Sequence, residues 1–125
     1  NPFMTVPAQA ALELLPPPPE MPPNAPGPFA FAEPDYVHSI LSQAGFSDIS
    51  ITPLRHALVF GAGLSLTEIV EHLVNIGPIA QMVRDAPEAL QQPVRDRVAN
   101  ALKPFFTDRG GINLEGQFWQ VTANA

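Results

Sequence analysis

The chain has 125 residues, of which 46% are hydrophobic and 14% are charged, and its formal net charge is −6. Phosphate groups need clustered cations, and the six Lys and Arg residues are scattered, so we expect no nucleic-acid partner and no anionic membrane surface. There is no cysteine, so we expect no disulfide and no thiolate metal site. No segment has the pattern of a secretion signal, and no apolar run approaches the ~20 residues that span a bilayer. We therefore expect a cytoplasmic domain with a modest core.

The first quarter of the chain is rich in proline. Ten of the 16 prolines lie between Pro2 and Pro28. Residues 6–15 (VPAQAALELL) predict a short helix with Thr5 as its N-cap. Proline fixes φ and lacks an N–H donor, so residues 16–28 are predicted to be extended and polyproline-like. No basic residue flanks this segment, which favours a packed connector over a ligand for an SH3- or WW-type domain.

The middle of the chain predicts a helix followed by strand. Apolar residues at helical spacing follow Pro34, and Gly45 is placed to end that helix. Residues 46–51 and 54–60 are rich in β-branched side chains and predict two strand segments. Pro53 lies between them and permits only an edge strand or a bulge.

The second half predicts mainly helix. Ser65 with Glu68 forms a capping-box pattern, which begins a helix expected to run to Gly77. Further helices are predicted over residues 79–84 and 87–105. After a turn, strand is predicted over the last segments, residues 112–114 and 117–123.

These elements give only two or three strands beside four or five helices. So small a sheet has little to cover its exposed edge, and it is more typical of the last strands of a larger sheet. We therefore interpret the chain as part of a larger α/β protein. The predicted division is an N-terminal helix and connector over residues 1–31 and a strand and helix region over residues 32–125.

The chemical motifs are weak. Residues 61–63 (Gly-Ala-Gly) lie between a strand and a helix, as nucleotide-binding loops do, but no third glycine follows at the expected spacing, and a plain turn is favoured. His38, His56 and His72 have no Glu or Cys at ligand spacing, so no metal site is predicted. No nucleophile signature accompanies them, and the catalytic residues stay unassigned.

Several segments, taken in chain order, point to a family. Residues 1–4 (NPFM), the proline segment, residues 26–32 (PGPFAFA) and residues 40–51 (ILSQAGFSDISI) together resemble the C-terminal part of class I S-adenosylmethionine-dependent methyltransferases. In that family a helix ends at a glycine before the sixth strand, as the Ala-Gly-Phe passage does here. Residues 61–106 are similar to a helical insertion between strands six and seven, and residues 118–123 to strand seven.

The resemblance implies an α+β fragment of an α/β, Rossmann-like methyltransferase. It would be mostly helical, with a small antiparallel sheet equivalent to the last two strands. The family's cofactor site lies in its first four strands, so the parent protein would use S-adenosylmethionine while none of the cofactor-binding residues falls in this chain. The partner implied is a small-molecule methyl acceptor. The candidate substrate-binding wall is Phe3, Met4, Phe29 and Phe31, with the helix Ser65 to Gly77 as part of a lid.

Two other interpretations stay open. The chain could be a free-standing small-molecule-binding or dimerisation module, which forms a homodimer through exposed sheet edges or holds an apolar ligand beside Phe29 and Phe31. It could also be a self-contained enzyme that uses the loop at Gly61. Whether this chain is itself an enzyme is left open by the sequence, since the methyltransferase hypothesis expects it to be inactive alone.

Overall fold

The structure, a computed structural model, describes residues 1–125, with the side chains of residues 77 and 78 excepted. It is a small α+β arrangement of five α-helices and one three-stranded antiparallel sheet. In chain order the elements are α1 (Pro2–Leu12), α2 (Pro34–Gln43), β1 (Ser47–Phe60), α3 (Leu66–Leu73), α4 (Gly77–Asp85), α5 (Glu88–Leu102), a 3-10 turn (Lys103–Phe105), β2 (Phe106–Thr107) and β3 (Gly111–Asn124). None of the helices described is long and apolar enough to cross a membrane.

The sheet has the order β1-β3-β2, so the last strand of the chain lies in the middle. Strand β2 pairs with β3 at two positions, Phe106 with Ile112 and Thr107 with Gly111. On the side of β3 that faces β2, no other strand among residues 1–125 extends this short pairing. Strand β1 is an edge strand, which is where a sheet tolerates a proline such as Pro53.

The chain divides into two units. Unit 1 contains residues 1–18 and 56–116, and unit 2 contains residues 19–55 and 117–125. Both long strands therefore contribute to both units. This division differs from the predicted one at residue 31, because the N-terminal helix belongs with the helices that follow β1 and the connector belongs with α2.

Unit 1 holds the hydrophobic core. Helix α5 buries Val94, Val98 and Leu102, which follow one another at four-residue spacing and are fully inaccessible. The other buried residues come from α1 and the turn after it, α3, α4 and the start of β3: Ala10, Ala11, Leu15, Ile69, Val70, Leu73, Val74, Ile79, Ala80, Val83, Ile112 and Leu114. Helix α1 packs mainly on α5 and α4. Four helices and one strand end thus share a single core.

Unit 2 has no such core. Among residues 19–55 and 117–125, none is buried, and α2 contributes no buried side chain. The helix itself is well formed, since Pro34 lies in its first turn and Gly45 (φ +91°) follows its C-terminal end, both as predicted. Unit 2 therefore has regular secondary structure without interior packing.

The predicted N-terminal helix is wrong at both ends. Helix α1 begins at Pro2 and ends at Leu12, rather than covering residues 6–15. Proline at the first helical position needs no N–H partner and already has the helical φ, so the helix starts there. Thr5, predicted as the N-cap, lies inside the helix, and its hydroxyl donates to the Asn1 carbonyl at 3.2 Å.

The proline segment is exposed rather than packed. Residues 16–24 are all accessible, which contradicts the prediction of a packed connector. It also does not stay extended throughout, because turns occupy residues 23–24 and 28–31.

The strands are longer than predicted, and two helices are shorter. The helix predicted over residues 87–105 ends at Leu102, where a 3-10 turn follows it. The two segments on either side of Pro53 form the single strand β1, and residues 111–124 form the single strand β3. Short strand β2 was not predicted. The helix that begins after Ser65 ends at Leu73 rather than Gly77, because a proline in the first turn of α4 favours a new helix start there.

Candidate functional site

The Gly-Ala-Gly turn is held by contacts within unit 1. Gly61 (φ +71°) and Gly63 (φ +84°) both have the left-handed conformation that glycine adopts at little cost. The Leu64 N–H donates to the Gly61 carbonyl at 3.0 Å, and the Gly63 N–H donates to the Arg109 carbonyl at 3.0 Å. Both N–H groups are therefore bonded to carbonyls of the chain. The two glycines are explained by the turn, and no ligand is needed to account for them.

Gly111 packs closely against the same turn. It has φ +73°, and a Cβ at this position would collide with the carbonyl oxygen of Phe60 and the backbone of residues 61 and 62. The start of β3 therefore lies directly on the turn that follows β1. A glycine is needed here for close backbone approach, a reason the sequence alone did not supply.

The helix start beside the turn is already occupied by a carboxylate. The Ser65 hydroxyl accepts a bond from the Glu68 N–H at 3.3 Å, and the Ser65 N–H donates to Glu68 Oε2 at 2.8 Å, which confirms the predicted capping box. The Ser65 hydroxyl also donates to Glu68 Oε2 at 2.6 Å. This bond, together with the backbone one, lowers the pKa of Glu68. A negative charge of the chain's own thus lies where a phosphate would have to bind.

The histidines are separate in the structure. His38 lies on α2, where its Nδ1 is 3.3 Å from the Ser42 hydroxyl, while His56 lies on β1 and His72 on α3. Among the described residues, no group of three His, Cys, Asp or Glu side chains could hold a metal ion.

The four predicted substrate-wall residues fall in different units. Phe3 and Met4 lie on α1 in unit 1, where Phe3 packs against the core and meets Phe60 edge to face at a centroid distance of 6.0 Å. Phe29 and Phe31 lie in unit 2 and are 45% and 60% exposed. Phe3 and Met4 thus share one unit, and Phe29 and Phe31 share the other. Phe3 already has a structural role, while Phe29 and Phe31 have accessible rings.

Unit 2 contains a cluster of three aromatic side chains, which we call the aromatic cluster: Phe31, Tyr36 and Trp119. The rings of Phe31 and Tyr36 have centroids 6.4 Å apart and are inclined by 31°. The Trp119 indole N–H donates to the carbonyl of Ala32 at 3.0 Å, across 87 residues of sequence. This bond fixes the turn that carries Phe31 to the last strand. Tyr36 and Trp119 were not among the predicted site residues.

A groove lies beside Phe29. It has a volume of about 210 Å³ and is lined by Met21, Pro22, Asn24, Ala25, Gly27, Pro28 and Phe29. None of these side chains is ionisable, and only Asn24 offers a polar side chain. The groove and Phe31 both belong to the segment between the proline run and α2, while Tyr36 lies on α2 and Trp119 on β3.

The sheet in unit 2 exposes further apolar side chains. Alternation along β3 puts Phe118 on one face and Trp119 with Val121 on the other, and all three are at least one-third exposed. Leu54 on β1 is 46% exposed.

No protein-family model, curated protein or solved structure matches the chain, so this geometry and the sequence carry the functional argument.

Proposed function

We propose that the chain is the substrate-binding and lid portion of a class I S-adenosylmethionine-dependent methyltransferase, inactive without the cofactor-binding part of its parent protein. The observation that supports this most is the lack of any buried residue in unit 2. Contiguous exposed apolar surface in a folded protein marks a place where another element packs or a ligand binds. In this proposal the cofactor-binding part of the parent provides that cover.

The edge of β3 supports the same proposal. This strand is the middle one in the sheet, yet on the side of β2 it is paired only at Gly111 and Ile112. Among the described residues no strand lies beside that edge beyond Ile112, so a further strand could pair there. In the proposal, a strand of the parent's cofactor-binding part pairs there and continues the sheet.

The helices of unit 1 are the lid of the proposal. Helices α3, α4 and α5 form a 37-residue helical insertion, residues 66–102, between the two long strands. S-adenosylmethionine would supply the methyl group to the acceptor's nucleophilic atom. The residues of this chain would hold the acceptor in line with that group and exclude water, and positioning of this kind supplies much of the catalysis in such reactions.

The first test uses the gene. We expect the reading frame upstream of the Asn1 codon to continue and to encode strands with a Gly-x-Gly-x-Gly loop. Calorimetric titration with S-adenosylmethionine should then give binding for the longer chain and none for the 125-residue chain. An upstream region without such a loop, or S-adenosylmethionine binding by the 125-residue chain itself, would contradict the proposal.

A second candidate function is a free-standing binding or dimerisation module. The exposed edge of β3 favours it, because two copies could pair their β3 strands. Light scattering coupled to size exclusion distinguishes the candidates. A concentration-independent dimer of the 125-residue chain supports the module, whereas a longer chain that is monomeric and active in methyl transfer excludes it.

A further inference from the structure

The aromatic cluster is exposed, although the indole N–H of Trp119 already has a hydrogen-bond partner. Trp119 is 36% exposed and Phe31 is 60% exposed, while the indole N–H already has a partner in the Ala32 carbonyl. The ring centroids of Phe31 and Tyr36 are 6.4 Å apart, and the rings are inclined by 31°. An aromatic ring carries the negative part of its quadrupole on its π face, so an exposed ring such as that of Phe31 attracts cations.

The charged side chains of unit 2 are mostly acidic. Unit 2 contains four carboxylates, Glu20, Glu33, Asp35 and Asp48, and a single Lys or Arg, which is Arg55. Two of these carboxylates lie between the two rings in the chain, Glu33 as the N-cap of α2 and Asp35 in its first turn. Neither is in an ion pair with a described residue of the chain.

We propose that the aromatic cluster binds an organic cation, a substituted ammonium group attached to an apolar body. The rings would contact the ammonium group by cation–π attraction, and the neighbouring carboxylates would favour the cation over an anion of the same shape. This inference rests on the proposed function, since it names the class of methyl acceptor that the substrate side of the enzyme would take: an amine, bound in its protonated form, which releases that proton to water before its lone pair becomes the nucleophile. The groove of about 210 Å³, whose lining ends at Phe29, two residues before Phe31, has the uncharged lining that suits the apolar body.

Two natural reporters make the test direct. The chain has one tryptophan and one tyrosine, Trp119 and Tyr36, and both belong to the cluster. The indole N–H therefore gives a single side-chain signal in a ¹H–¹⁵N spectrum, and fluorescence excited at the indole band comes from Trp119 alone. We would titrate the 125-residue chain with benzyltrimethylammonium, benzyl alcohol and benzoate, which share one ring and differ in charge.

We expect benzyltrimethylammonium to shift the indole signal and to bind at least about fivefold more tightly than benzoate at low salt, with benzyl alcohol between them. Raising the salt concentration should reduce the difference in affinity between benzyltrimethylammonium and benzoate, because salt screens the charges of exposed carboxylates. Equal binding of benzoate, or no shift of the indole signal with the cation, would overturn the inference.

A pair of matched variants separates the cluster from general apolar binding. Phe31→Leu removes one ring of the cluster, and we expect it to weaken cation binding about fivefold. Phe118→Leu removes a ring next to Trp119 in sequence but on the other face of β3, and binding should stay within about twofold. Equal losses in the two variants would contradict the assignment. Glu33→Gln combined with Asp35→Asn should reduce the preference for the cation over benzyl alcohol.

The titrations contain no S-adenosylmethionine, so their outcome tests the cation site separately from the proposed function. Cation binding by the 125-residue chain, with no methyl transfer by the longer chain, would keep the site and reject the methyltransferase. Methyl transfer by the longer chain, with no cation binding at the cluster, would do the reverse.

Discussion

Units 1 and 2 contain the same kinds of element but differ in what those elements bury. Among the described side chains, unit 1 buries 15 hydrophobic residues, while none of the residues of unit 2 is buried. Local sequence does not explain the difference, since α2 has an apolar stripe (Tyr36, Val37, Ile40 and Leu41) as α5 has (Val94, Val98 and Leu102). Helix α5 has α1 and α3 to pack against, and α2 has no second helix in its unit. An amphipathic helix is buried only where something opposes it.

The largest expected effect comes from removing the same side chain in each unit. Leu102 is fully buried on α5, so Leu102→Ala should lower the free energy of unfolding by about 4 kcal/mol, through lost burial and a cavity. Leu54→Ala in unit 2 should cost less than about 0.5 kcal/mol, because Leu54 is 46% exposed. Urea unfolding followed by circular dichroism measures both. Similar losses would mean that Leu54 is packed in solution, and the contrast between units would fail.

A pair of glycines gives the next effect. Gly111→Ala should cost about 3 kcal/mol, because the new methyl group collides with the backbone at Phe60 and φ is +73°. Gly45→Ala, after α2, should cost about 1 kcal/mol, because φ is +91° but no atom lies within 4 Å of the added Cβ. Thermal unfolding of the two variants compares backbone collision with backbone strain alone. Equal costs would show that the start of β3 does not lie on the turn as described.

A smaller effect is expected at the capping box. Ser65→Ala removes the hydroxyl that accepts the Glu68 N–H and should lower stability by about 1 kcal/mol. Ser39→Ala on α2 is the control. Its hydroxyl donates to the Tyr36 carbonyl within the helix, so its loss should change stability by less than about 0.5 kcal/mol. A cost at Ser39 equal to that at Ser65 would contradict the assigned cap.

The smallest effect depends on pH and on the same cap. The hydrogen bonds from Ser65 hold the pKa of Glu68 below its ordinary value in the folded chain. Glu68 therefore stabilises the fold above its unfolded pKa, and this contribution is lost as the pH falls through the lowered folded value. Stability measured against pH should show a shallower acid-side decline for Glu68→Gln than for the natural chain. Parallel declines would mean that the carboxylate is not held by Ser65.

Local signals in the sequence predicted the elements that depend on near neighbours. The capping box at Ser65 and the helix end at Gly45 were found, since each is decided within a few residues. The prediction that Pro53 permits only an edge strand or a bulge was confirmed, because β1 lies at the edge of the sheet and continues through the proline. The start of α1 at Pro2 was missed because apolar periodicity alone places no helix boundary.

The candidate site was predicted only in part. Phe29 and Phe31 were identified from their place after a proline and are exposed, while Phe3 packs into the core of unit 1. Trp119 was predicted as part of the last strand and was not named as a site residue. Its contact with Ala32 joins positions 87 residues apart, and no local pattern encodes it. An indole N–H generally takes a partner, which was the one signal that could have directed attention there.

The sequence by itself determined an acidic chain without cysteine, a mainly helical α+β composition and most helix starts, because these follow from composition and from residues close in the chain. Tertiary structure alone decided that β3 lies between β1 and β2, that α1 joins the core of the later helices, and that the aromatic cluster assembles in unit 2. The physical reason is that burial and strand pairing depend on which distant segments meet, and residue type sets only what each segment gains when they do.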